Sequence, residues 1–95
     1  MNKKQAYAEK FKAQLDELNA KIDVLKAKAE QAEASVKADY HETIEDLQKK
    51  RSEAKDKLQS LREAGDDAWE DMKEGVEESW TAFATAVKSA FSRFQ

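Results

Sequence analysis

A chain of 95 residues supports one domain at most, and a domain this small buries only about 60–65% of the surface its unfolded form exposes. It is 40% hydrophobic by count, sixteen of those residues being alanine, and 39% charged with a mean hydropathy of −0.94, a composition that gives disorder unless the apolar residues fall in strict register. The lack of cysteine excludes a disulfide framework and a thiolate metal site, a net charge of −3 argues against a nucleic-acid partner, and no stretch approaches the roughly 18 apolar residues of a membrane span.

The first element begins in "MNKKQAYAEKFKAQLDEL", which lacks the apolar run of a secretory signal, so the expected location is cytoplasmic. Apolar positions then recur at Tyr7, Phe11, Leu15, Leu18, Ile22, Leu25, Ala29, Ala32, Val36, Tyr40, Ile44, Leu47, Ala54, Leu58 and Leu61. Spacings of three and four mark one stripe of a helix, and from Leu15 to Val36 they alternate strictly, as in a coiled coil. Val36, Tyr40 and Ile44 take two successive fours, a stutter that relaxes a left-handed supercoil. "EASVKADYHET" across it has no glycine or proline, and only Ser35 or Asp39 is suited to cap a new helix there. Acid-first i, i+4 pairs at Glu17 and Lys21, Glu33 and Lys37, Glu45 and Lys49, Asp46 and Lys50, and Glu53 and Lys57 support the same conformation. The pattern predicts one helix over 3–63, about 90 Å long at 1.5 Å per residue.

A turn is expected at 64–66. Gly65 follows Leu58 and Leu61, where a left-handed residue would close the last helical turn, and Asp67 with Glu70 spells D-x-x-E, a capping-box variant. The second helix, 67–94, carries Asp66, Asp67, Glu70, Asp71 and Glu74 at its start, where carboxylates favour the positive end of the macrodipole. Gly75 inside it suggests close approach of another helix. Its stripe is Trp69, Met72, Val76, Trp80, Phe83, Val87, Phe91 and Phe94. Folded back about residue 65, this stripe faces Leu61, Leu58, Ala54, Arg51, Leu47, Ile44, Tyr40 and Val36, with Arg51 against the indole of Trp80.

Such a hairpin leaves Tyr7, Phe11, Leu15, Leu18, Ile22 and Leu25 without a partner in their own chain. Burial of each contributes about 1.5–3 kcal/mol, so this seam predicts a homodimer, with Leu18 opposite Ile22 and Leu15 opposite Leu25 if the copies run antiparallel. The expected architecture is thus all-α, a single coiled-coil domain over 1–95. The alternative is a three-helix bundle with an added turn near 35–39, which buries the same stripe within one chain.

Chemistry has little to stand on. His41, the sole histidine, lies near Asp39, Glu42 and Glu45 without the spacing of a metal site, and the acids at 66–74 lack the loop of an EF-hand. "KKRSEAKDK", residues 49–57, is interrupted by acids and carries no aromatic for base stacking. We expect no enzyme, no catalytic residue, no cofactor and no small-molecule substrate. Trp69, Trp80, Phe83, Phe91 and Phe94 on one face describe either a core or a helix that lies on a lipid surface, but the polar face is acidic until Lys88 and Arg93.

"LDELNAKIDVLKAKAEQAEA" followed by "DYHETIEDLQKKRSEAKDKLQSLREAGDDAWEDMKEGVEESWTAF" resembles a family of small bacterial coiled-coil proteins, some linked to stress responses, over nearly the whole chain. The most specific piece is D-A-W-E-D-M-K-x-G-V, here Asp67 to Val76. The resemblance implies a cytoplasmic bacterial coiled coil and supplies no catalytic residues. The leading expectation is a self-associating structural or interaction protein that engages itself and a further protein partner; the alternative is a peripheral lipid binder acting through 67–94.

Overall fold

Helix formation starts from a reciprocal cap. In the computed structural model, which describes residues 2–94, the backbone N–H of Gln5 donates to Asn2 Oδ1 at 2.8 Å and the N–H of Asn2 donates to Gln5 Oε1 at 3.2 Å. This N-x-x-Q capping box opens α1, Lys3–Gln31. Then α2 spans Ala34–Glu63, a single turn α3 spans Ala68–Asp71, and α4 spans Lys73–Arg93. The chain is all-helical, and α1, α2 and α4 pack on one another.

The single helix expected over 3–63 is divided at Ala32 and Glu33. Both residues are extended, at φ −78°, ψ 154° and φ −65°, ψ 154°. The molecule measures 51 × 20 × 18 Å, whereas an unbroken 61-residue helix would reach about 90 Å. The break lies just before the 35–39 segment of the alternative three-helix arrangement, at the start of the stutter. Breaking a helix here gives up a few backbone hydrogen bonds, each worth about 0.5–1.5 kcal/mol net. Against that, the fold buries Phe11, Leu18, Ile22 and Leu25, each at about 1.5–3 kcal/mol. Burial wins, and the chain bends where no residue asks it to.

The second reversal also departs from expectation. Ala64 is extended at φ −71°, ψ 152°, and neither glycine has a positive φ, so Gly65 does not close the helix in the left-handed region. Asp67 is αR at φ −101°, ψ −29°, and its side chain caps nothing; the D-x-x-E box with Glu70 does not form. The Trp69 N–H instead reaches the Gly65 carbonyl at 3.3 Å, starting the helical path by backbone alone. The helix expected at 67–94 is interrupted at Met72, φ −93°, ψ −7°, whose N–H turns back to the Trp69 carbonyl at 3.1 Å. A Cβ added at Gly75 meets nothing within 4 Å, so this glycine serves no close approach.

The reversals set α1 and α4 parallel, with α2 antiparallel between them in chain order. The core is one cluster, entirely apolar, with Ile22, Leu25, Leu47, Leu61, Val76, Trp80, Phe83 and Val87 its largest fully buried members. On the solvated faces, Glu17 with Lys21 and Asp46 with Lys50 close to 3.9 and 2.9 Å.

Candidate functional site

The residues expected to form a seam between two chains lie inside one. Phe11, Leu18, Ile22 and Leu25 are buried, and Tyr7 and Leu15 are half-buried against the core. Packing on α1 follows from its parallel placement beside α4. An aromatic ladder runs Trp69, Tyr7, Phe11, Trp80, Phe83, with successive ring centroids 5.8, 5.0, 5.4 and 6.0 Å apart. Tilted and edge-on pairs of this kind contribute about 0.5–1.5 kcal/mol each beyond the area they bury. The ladder passes from α3 to α1 and from α1 to α4, so the N-terminal third of the chain is clamped where the sequence pattern leaves it free.

Polar contacts at the same end reinforce the clamp. Lys4 Nζ donates to the Ala64 carbonyl at 2.9 Å, satisfying one of the orphan acceptors at the α2 terminus. The Tyr7 hydroxyl donates to Glu77 Oε1 at 3.0 Å and lies 3.4 Å from the Lys73 carbonyl. Burial first, and then the hydrogen bond and negative charge of Glu77, push the Tyr7 phenol up to about 12. Lys73 Nζ lies 4.6 Å from the Trp69 ring centroid and 5.3 Å from that of Tyr7.

Midway along, Arg51 does not cover Trp80. Its Nη1 donates to Asn19 Oδ1 at 2.9 Å, joining α2 to α1. The Trp80 ring is 2% exposed and its Nε1–H has no acceptor. An unmet donor at that depth costs about 1–3 kcal/mol, so Trp80 is placed for its bulk and not for its polar edge.

At the far end, Tyr40 stacks on Phe94 with centroids 4.0 Å apart, and its hydroxyl donates to the Phe94 carbonyl at 3.5 Å. Tyr40 therefore meets Phe94, three residues beyond the expected Phe91. Phe91 is half-buried, with Lys28 of α1 at 5.7 Å from its centroid. Of the other expected hairpin residues, Ile44, Leu47, Leu58, Leu61, Trp69, Val76, Phe83 and Val87 are buried, and Met72 is half-buried. Gly65, Asp67 and Glu70 are exposed at the turn.

The chemistry-bearing side chains are dispersed. His41 is exposed and borders an open groove between α1 and α2 with Lys26, Glu30, Glu45 and Gln48. Asp66, Asp67, Glu70, Asp71 and Glu74 are all exposed at the turn and the start of α4. Among the described residues no group of three or more His, Asp or Glu side chains gathers as a metal site, and no helix is long and apolar enough to cross a membrane. The contacts that sequence reasoning missed are the Asn2 and Gln5 box, for which N-x-x-Q was the signal, and the Lys4, Tyr7 and Asn19 bridges, for which periodicity carries none. No family model, curated protein or solved structure matches the chain.

Proposed function

We propose that this chain is a non-enzymatic structural and interaction protein that works through its helical surfaces and associates with itself. One observation supports the reading above the rest: among the described residues the whole buried set is apolar, while the charged residues are spread over solvated helix faces, where Glu17 pairs with Lys21 and Asp46 with Lys50. Side chains arranged in this way hold a shape and present a surface; acid–base or nucleophilic work needs convergent polar groups in a sheltered site. A cytoplasmic location, a protein partner met under stress and kinship with bacterial coiled-coil proteins belong to the same proposal.

The lipid-surface alternative would have to spend the same side chains twice. Trp69, Trp80, Phe83 and Val87 fill the core, so insertion into a headgroup layer requires α4 to leave the bundle. Two measurements on the full chain test the proposal together. Sedimentation from micromolar to millimolar protomer should show mass rising above the monomer. Flotation with vesicles of zwitterionic and of anionic phospholipid should leave the protein in the lower fractions, whereas protein rising with either vesicle would put the lipid reading in its place.

A further inference from the structure

The joint between α1 and α2 is held bent from outside. No side chain caps the start of α2, because the Glu33 carboxylate accepts no hydrogen bond there, and the end of α1 carries alanine where a glycine would favour termination. At Ala32 and Glu33 φ is −78° and −65°, already close to helical values; ψ, 154° at both, is all that separates the joint from continuous helix. The surrounding "AEQAEASVK" is composed of good or neutral helix formers. Straightened, the N–H groups of residues 33–35 would find the carbonyls of 29–31 at helical spacing.

What opposes straightening is the apolar stripe of α1, seated on α2 and α4. That stripe is satisfied equally by the same surfaces of a second copy. A further mark lies beside the joint: Val36 is 40% exposed, one of two large hydrophobic residues so exposed among the described residues, and it continues the stripe of Ala29 and Ala32. In two straightened joints lying side by side, Val36 and Ala32 of one copy meet those of the other.

We infer that α1 is an exchangeable arm: two copies open at Ala32–Glu33, each forms one helix over 3–63, and the α1 of each packs on α2 and α4 of the other. The occupant of the vacated surface is a second copy of this chain. This rests on the self-association proposed above and supplies its mechanism. A short tether gives α1 an effective concentration of roughly millimolar over its own bundle, so exchange without any gain at the joint would need protomer in that range. Backbone bonds recovered in the two joints lower the requirement toward micromolar. Short hinges are the usual sites of such exchange.

Proline separates the two states. The Glu33 N–H donates no backbone hydrogen bond, its φ of −65° is the value proline imposes, and Ala32 before it is already extended, as a residue preceding proline must be. Ala34 is the first residue of α2, where proline is favoured. Either proline fits the bent joint and disrupts a continuous helix. The experiment refolds the full chain at about 1 mM protomer and reads mass by sedimentation and maximum dimension by X-ray scattering. Wild type should give a dimer of about 90–100 Å, set by the length of the unbroken helix, against 51 Å for the protomer. Glu33→Pro and, independently, Ala34→Pro should remain monomeric with a Tm equal to wild type or a few degrees above it. A dimer that survives both prolines would overturn arm exchange and leave self-association standing; a wild type monomeric at every concentration would overturn both. A lower Tm in both proline variants would refute the bent joint itself and the exchange with it.

Discussion

Ala32 and Ala64 end their helices with nearly the same backbone, φ −78°, ψ 154° and φ −71°, ψ 152°, each donating its N–H to the carbonyl three residues back at 3.2 Å. The sequences around them have little in common. After Ala64 come glycine and two aspartates; after Ala32 come glutamate, alanine and serine. The second reversal is also tied down at its own backbone by Lys4 on the Ala64 carbonyl, while the first is held by the packing of the helices on either side and the Arg51–Asn19 bond between them. One backbone path is therefore reached by two routes. Around Gly65 the local sequence disfavours helix and tertiary contacts finish the turn; around Glu33 the local sequence favours helix and tertiary contacts overrule it.

The largest test of this contrast removes tertiary support for the first reversal. Phe11→Ala takes a buried ring of α1 from between Tyr7 and Trp80 and should cost about 3–5 kcal/mol in urea unfolding. Amide exchange should then accelerate in α1 ahead of α2 and α4, with helical ellipticity largely retained below the transition; uniform acceleration would mean that the three helices do not differ in how they are held. Lys4→Met keeps the aliphatic stem and deletes the donor to Ala64, and should cost about 1 kcal/mol at the second reversal alone.

A smaller effect is confined to alkaline pH. The folded-state phenol of Tyr7 is raised from 10.0 to about 12, so the folded chain holds its proton more tightly than the unfolded chain does. The resulting stabilisation is complete below pH 10 and is lost as pH rises from 10 through about 12. Tyr7→Phe should flatten that part of the stability profile relative to wild type, while the neutral-pH difference reports the lost contact with Glu77. Last come the glycines. With no positive φ and open space at both, Gly75→Ala should stabilise by about 0.5–1 kcal/mol and Gly65→Ala by about 0.4–1 kcal/mol, read as a rise in Tm. A fall at Gly65 would restore the left-handed turn that its position suggests.

Helicity, the apolar stripe of each helix and the end of α2 at Glu63 were all legible, because threes and fours in spacing and a glycine after the last leucine pair have direct local causes. The division of 3–63 was legible only as the alternative, with its turn placed near 35–39 and not at Ala32 and Glu33. An alanine and a glutamate at ψ 154° break no rule of their own, and the stutter at Val36, Tyr40 and Ile44 reads as relaxed supercoil when it lies just past a bend. Preferring the unbroken helix to the three-helix alternative moved Tyr7, Phe11 and Leu18 from the core of a single chain to a seam between two. Gly65, Asp67 and Glu70 were located at the turn but given the wrong geometry, since motif spacing does not reveal whether the backbone can close without a side-chain cap.

The unmet N–H of Trp80 gives the molecule an optical signal of its own. An indole without a hydrogen-bonding partner, enclosed by hydrocarbon and touching Phe11 of α1, emits at shorter wavelength than one in water. Lifting α1 would wet that ring, and the fluorescence would shift to the red while circular dichroism still recorded intact helices. Trp69→Phe would leave Trp80 as the sole reporter, turning the arm's departure into a colour change that a stopped-flow instrument can time.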